Sequence, residues 1–253
     1  ALPAPTPSRV PLGDASPLPE LSREMTIPSR EALPALPPEL PQPVEDFAQR
    51  APEQRSELVE KMGGSQETER AVARALEWLK RAQEPDGRWS SKKNGGEVNA
   101  DTAMTGMALL CFLSAGHTHT QDGPYRETVS RAIDHLVSRQ QADGNLAPNE
   151  TMYGQTIASV ALCEAYAMTH DARLARAVKL AVEFVDASAR SNDGSAGKTS
   201  VLGWQVMAME SARRAGVKTS NITFDAARRW LDSVASANAP GRYAYQRGQA
   251  ANP

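Results

Sequence analysis

The stretch from Arg74 to Trp89 returns along the chain, and this recurrence restricts the possible folds more than any other feature. It contains Arg74-Ala75, Trp78-Leu79, Gln83, Asp86-Gly87 and a closing Trp89. Shifted by 57 residues it reappears as Arg131-Ala132, His135-Leu136, Gln140, Asp143-Gly144 and Leu146. A third copy starts at Ala181, with Phe184-Val185 and Asp193-Gly194. A fourth starts at Ala227, with Trp230-Leu231 and Gly241-Arg242-Tyr243. A period of roughly 50 residues describes stacked supersecondary units, each burying its apolar face against its neighbours.

The repeats do not occupy the whole chain. Of the 18 prolines, the first 12 lie between Pro3 and Pro43, a stretch with no sustained helical or strand period. Proline removes backbone donors and fixes φ, so residues 1–43 are expected to be an extended, disordered linker. Residues 44–253 form the repeat domain. The net charge is −2 and basic residues do not cluster, which argues against nucleic-acid binding through phosphate neutralisation. No apolar run reaches the length of a transmembrane helix. A Pro-rich leader on a chain that begins with Ala1 suggests a processed product or a fragment, tethered at the cell envelope or in the periplasm. Cys111 and Cys163 fall in apolar helical patterns and are expected to be buried free thiols.

Within the repeat domain the hydrophobic pattern alternates. Short helical pieces are expected over 44–49 and 52–62. Ser65 is placed to cap a helix running to about Gln83, with Val72, Leu76 and Leu79 on one face. The segment 101–115 is apolar nearly all round and stops at Gly116. Residues 125–141 are amphipathic, 153–168 apolar, 174–189 amphipathic, 201–215 apolar and 224–234 amphipathic. Half-wet and dry helices in strict alternation fit an outer and an inner layer of helical hairpins.

The string Arg-Ala-x2-Trp-Leu-x3-Gln-x3-Gly-x-Trp at Arg74–Trp89 resembles the QW motif of squalene and hopene cyclases, and of the wider prenyltransferase and squalene-oxidase repeat proteins. The segments from Met152 to Thr169 and from Gly203 to Met207 resemble a bacterial subgroup of that family known by its fold rather than by an activity. The resemblance covers about 65–245. It implies an all-α fold, an α/α toroid of inner and outer helices. About three and a half hairpins are present here, so the expectation is a partial toroid, C-terminally incomplete. Trp78, Gln83, Gly87, Trp89, Gln140 and Gly144 are then structural. The glutamines would bond backbone at the end of an outer helix and in the next repeat, the glycines would allow a tight turn, and Trp89 would pack over it.

Chemistry is harder to find. Terpenoid cyclases of this superfamily protonate an alkene with an Asp-x-Asp-Asp cluster, which this chain lacks. Asp101, at the head of an apolar helix, is the nearest acidic residue and reads more readily as a helix cap. The zinc triad of protein prenyltransferases is also missing. His117 and His119 read as solvated loop residues, His135 as packing, and His170 as support for a helix end. No metal or cofactor is expected. Glu164 and Glu210 occur at similar places in two inner helices, where an arginine such as Arg190 or Arg213 would meet them. Tyr153 and Trp204 could line the mouth of the ring. Asp101, Tyr153, Glu164 and Trp204 are therefore the candidate ligand-binding residues.

On this reading the domain is non-catalytic and binds a protein partner or an apolar small molecule on its concave face. A fragment of a terpenoid cyclase or prenyltransferase-like enzyme is the first alternative. A structural module of an envelope protein is the second.

Overall fold

In the computed structural model the described part of the chain is built of helices and connecting turns. The described residues are 61–191, 198–237 and 241–250, with a few single positions between Phe47 and Val59. The expected linker over 1–43, most of the short pieces over 44–49 and 52–62, and the turn of the third copy lie outside them. Among the described residues are seven α-helices: α1 (Gln66–Ala82), α2 (Asp101–Ser114), α3 (Arg126–Arg139), α4 (Met152–Thr169), α5 (Ala172–Ser191), α6 (Thr199–Arg214) and α7 (Ile222–Val234).

Local chemistry sets several of their ends. Ser65 caps α1 through a reciprocal box: its Oγ accepts from the Thr68 amide, and Thr68 Oγ1 accepts from the Ser65 amide. Gly116 and Gly216 follow α2 and α6 with φ of 87° and 72°, the left-handed turn that ends a helix. His170 closes α4 in the same region at φ 49°, an uncommon conformation for a side chain with a Cβ.

Packing follows the alternation of the sequence. The helices α2, α4 and α6 pack on one another in order and form the inner layer. Around them α1, α3, α5 and α7 form the outer layer, giving a partial α/α toroid of hairpins. Leu109, Phe112 and Leu113 of α2, Val129 and Leu136 of α3, and Leu162 of α4 have no exposed surface. Losing one such leucine to alanine costs about 2–5 kcal/mol.

The outer turns are built alike. Gln83 Nε2 donates to the Gly87 carbonyl in its own turn and to the Thr128 carbonyl of the next outer helix, both at 2.9 Å. Gln140 Nε2 repeats this with Gly144 at 3.4 Å and Ala177 at 2.8 Å. A Cβ on Gly87 would lie 2.1 Å from the Arg131 carbonyl, and one on Gly144 would lie 2.1 Å from that of Leu180. The next helix therefore rests on the bare glycine backbone. Trp89 is buried and donates from Nε1 to the Leu79 carbonyl at 2.9 Å.

Some expectations need correcting. Trp78 and Val72 of α1 are 53% and 37% exposed, because no preceding outer turn covers that face among the described residues. Cys163 is buried, but Cys111 is exposed, because it lies on a side of α2 that none of the described helices covers. The loop after α2 folds onto the start of α5, so its histidines are not solvated. His119 Nε2 lies 2.9 Å from Asp171 Oδ2 and is buried, and His117 packs edge-on against Tyr125 at 4.6 Å.

Candidate functional site

The inner helices are equivalent position by position, which shows which side chains face inward. Thr105, Gln155 and Gln205 are spaced by 50 residues. Thr105 Oγ1 accepts from the amide of Trp89, and Gln155 Oε1 from that of Leu146, the residue matching Trp89 in the next copy. The ends of α2 and α6 also coincide at a spacing of 100: the amides of Ala115 and Ala215 donate to Cys111 and Ser211, and those of His117 and Val217 to Phe112 and Ala212.

Met107 and Met207 are thus the same position in the first and third inner helices. They are 42% and 49% exposed. The side facing the next inner helix is excluded, because α4 would cover Met107 there. The side facing the previous one is excluded, because α4 would cover Met207. The outer side belongs to the outer helices. Only the concave side remains. Met104 and Cys111 of α2 are also exposed, but their counterparts in α4, Gly154 and Ala161, are buried, so the same equivalence does not put them on the concave side. Ile157, the residue of the central helix that matches Met107 and Met207, is only 6% exposed. The concave surface therefore carries one open methionine on each flanking inner helix and a closed aliphatic middle.

The N-terminal ends of the inner helices form a polar rim. Asp101 is the first residue of α2 rather than its cap, which corrects the expectation. Its Oδ1 accepts from the Ser91 amide and hydroxyl, both at 2.8 Å, and its Oδ2 lies 3.2 Å from Arg88 Nε. The capping is done by Glu150, from the loop before α4. Its Oε1 accepts from the Thr102 amide at 2.8 Å, placing negative charge at the positive end of the α2 dipole. Asp101 and Glu150 line a cavity of about 110 Å³ together with Arg88, Asn99, His135 and Arg139. His135 Nδ1 is 3.1 Å from the Asp86 carbonyl, and burial holds its pKa below the usual histidine value.

Further along the rim, Tyr153 shares a hydroxyl cluster with Ser200 and Tyr245. Tyr153 Oη bonds Ser200 Oγ and lies 3.3 Å from Tyr245 Oη, and Ser200 Oγ donates to Tyr245 Oη at 2.9 Å. Burial raises the Tyr153 pKa. This cluster ties the C-terminal segment to the heads of α4 and α6.

The four candidate residues do not form one site. Asp101 and Tyr153 belong to different clusters of the rim. Trp204 is half-buried and packs against the main core. Glu164 is near the other end of α4, where Arg50 Nη1 donates to its Oε2 at 2.6 Å. Its ion pair was expected, but with Arg190 or Arg213. Glu210 pairs with Arg214 at 3.4 Å, Arg190 with Asp186, and Arg213 donates to Thr219 and Asn221. These choices depend on which loops fold back, and helical spacing does not contain that information. The concave methionines were missed because exposure, rather than residue type, distinguishes them.

Residues 58–169 match the family model of the squalene-hopene cyclase C-terminal domain. The match supports a squalene-hopene cyclase-like relationship to the prenyltransferase and squalene-oxidase repeat proteins. The matched region spans α1 to α4, the first two copies of the motif. No curated protein and no solved structure matches the chain.

Proposed function

We propose that this is a non-catalytic repeat domain whose concave face binds an apolar small molecule or an apolar segment of a protein partner. The observation that carries this reading is the repeat-equivalent exposure of Met107 and Met207. Single exposed apolar residues are ordinary, but a methionine open at the same structural position in the first and third inner helices is not. Methionine is flexible and polarisable, so such a surface adapts to an apolar ligand without a preformed pocket. Asp101 supports the absence of catalysis. With Ser91 donating to one carboxylate oxygen and Arg88 against the other, it is arranged as an acceptor rather than as a proton donor.

Native mass spectrometry of the domain mixed with a lipid extract tests this. A bound apolar molecule that is lost on Met107→Glu together with Met207→Glu is expected. Binding that survives both substitutions would place the ligand elsewhere. The family match favours a second reading, that the chain is part of a terpenoid cyclase or prenyltransferase-like enzyme. Turnover of squalene or an isoprenoid diphosphate, abolished by Asp101→Asn, would replace the first reading with the second.

A further inference from the structure

The cavity of about 110 Å³ at the rim takes its lining from the first outer turn, the heads of α2 and α4, and the last turns of α3. All of these are internal to the array, and the next interval matches them position by position. The turns match through Gly87 and Gly144, and the inner helices at a spacing of 50. Gln83 bonds the Thr128 carbonyl of α3 and Gln140 the Ala177 carbonyl of α5, so these outer helices match at a spacing of 49. Arg88, Asp101, His135, Arg139 and Glu150 then correspond to Asn145, Thr151, Phe184, Ser188 and Ser200. Every ionisable lining residue has an uncharged counterpart, whereas Asn99 is matched by Asn149. The second interval stacks without these groups, so packing does not account for them in the first.

Some of the charges are already met. Arg88 donates from Nη1 to Asp86 Oδ2 at 2.8 Å and holds Nε 3.2 Å from Asp101 Oδ2. Glu150 accepts from the Thr102 and Ala103 amides at 2.8 and 3.4 Å. Two groups are not met. The His135 side chain is only 8% exposed. Its Nδ1 faces the Asp86 carbonyl, which can only accept, so Nδ1 carries the proton and Nε2 presents a lone pair. Burial favours this neutral ring. Nε2 has no partner among the described residues, and a polar atom of a buried side chain ordinarily has one. Arg139 lies one turn further on the same face of α3. Its guanidinium forms no hydrogen bond or ion pair with any described residue. Asp101 and Glu150 line the same cavity, and a carboxylate offers about four lone-pair positions, so both can accept further bonds.

The cavity therefore requires three things of a ligand: a negative group for Arg139, a donor for His135 Nε2, and positive charge near Asp101 and Glu150. An anion alone meets the two carboxylates, and a cation alone meets the two arginines. Among the described residues no group of three or more His, Cys, Asp or Glu is placed to hold a metal ion. An α-amino acid carries a carboxylate and an ammonium on one carbon and satisfies all three requirements. A single water needs roughly 10–15 Å³ of such space, so the cavity admits a molecule of several heavy atoms. We propose that this cavity binds a free α-amino acid, with its carboxylate on Arg139 and its ammonium donating to His135 Nε2 and to the carboxylates of Asp101 and Glu150. The site uses neither Met107 nor Met207, so it stands or falls independently of the apolar ligand proposed above.

Isothermal titration calorimetry of the full chain with glycine and with L-alanine, into the millimolar range, tests this. Saturable binding is expected, with acetate, inorganic phosphate and methylammonium each at least roughly tenfold weaker, because each lacks one of the two charges. Arg139→Gln changes an exposed side chain and should leave helicity intact while weakening glycine binding roughly thirtyfold, as loss of one partner of a charge pair does. His135→Phe copies Phe184 and should weaken it roughly tenfold, the effect of losing a hydrogen bond to a charged group. If that variant does not fold, Arg139→Gln decides alone. Met107→Glu together with Met207→Glu should leave glycine binding unchanged. No binding of either amino acid, acetate or phosphate binding as tightly as glycine, or binding indifferent to Arg139→Gln would each overturn the proposal. Loss of binding in the folded methionine double variant would overturn it too, by placing the ligand on the concave face.

Discussion

Helices α1 and α3 carry the same motif and differ in almost everything that motif does. In α3, Val129 and Leu136 have no exposed surface, and His135 reaches the Asp86 carbonyl of the preceding turn. In α1 the matching Val72 and Trp78 stand in solvent. Both helices have an apolar stripe of helical period, so local pattern does not distinguish them. The presence of a preceding glycine turn does. The lesson is that a repeat residue contributes through its neighbour as much as through its own helix.

The largest effect should come from the turns. Gly144→Ala forces a Cβ against the Leu180 carbonyl in a left-handed conformation and is expected to cost about 3–5 kcal/mol, as strain and overpacking together. Gly241→Ala meets no neighbour, so only the conformational part remains, about 1–2 kcal/mol. Chemical denaturation of the two variants measures the difference. Equal losses would mean that the two turns are equivalent after all.

One substitution made in both helices sharpens the comparison further. Val129→Ala removes fully buried methyl groups and should cost about 2–3 kcal/mol. Val72→Ala should stay within about 0.5 kcal/mol in the monomer, as surface substitutions do. A matching loss at Val72 in dilute solution would show that α1 is covered.

The glutamine bonds come next. Gln140→Leu leaves the Ala177 carbonyl without its side-chain donor and should cost about 1–3 kcal/mol. Faster amide exchange around Ala177 in α5 than in α3 would localise the loss.

The smallest effect is a pH dependence. Burial lowers the His135 pKa below its unfolded value, so the unfolded chain binds the proton more readily. This stability is present above the unfolded histidine value and is lost as pH falls through the folded one. Asp171 adds a second, more acidic window. Hydrogen bonds from Arg173, then from His119, hold its pKa well below the usual carboxylate range. Its contribution is present above the unfolded carboxylate value and disappears as pH falls toward its own. Thermal melts of His135→Trp, which copies the first repeat, should lose the upper of the two windows and keep the lower.

Much of the architecture could be read from the residues. The Gln and Gly spacing marked the outer turns, the Ser65 cap marked the head of α1, and near-uniform apolarity marked the inner helices. Each of these depends on contacts within a few residues or on a repeating period, and both are visible along a chain. The candidate site was less legible. Asp101 was expected to cap its own helix, but Glu150 reaches in from 49 positions later and does so instead. Glu164 was expected to find an arginine, and it found Arg50, 114 positions earlier in the chain.

By itself the sequence determined which segments are helices, which are dry, and that they stack as hairpins, because periodicity and turn chemistry are local properties. Only the tertiary structure decided which equivalent positions are covered. Met107 and Met207 stay open while Ile157 closes, and Trp78 stays open while Trp230 is buried. The reason is geometric: burial belongs to a pair of surfaces, and a sequence pattern describes only one of them.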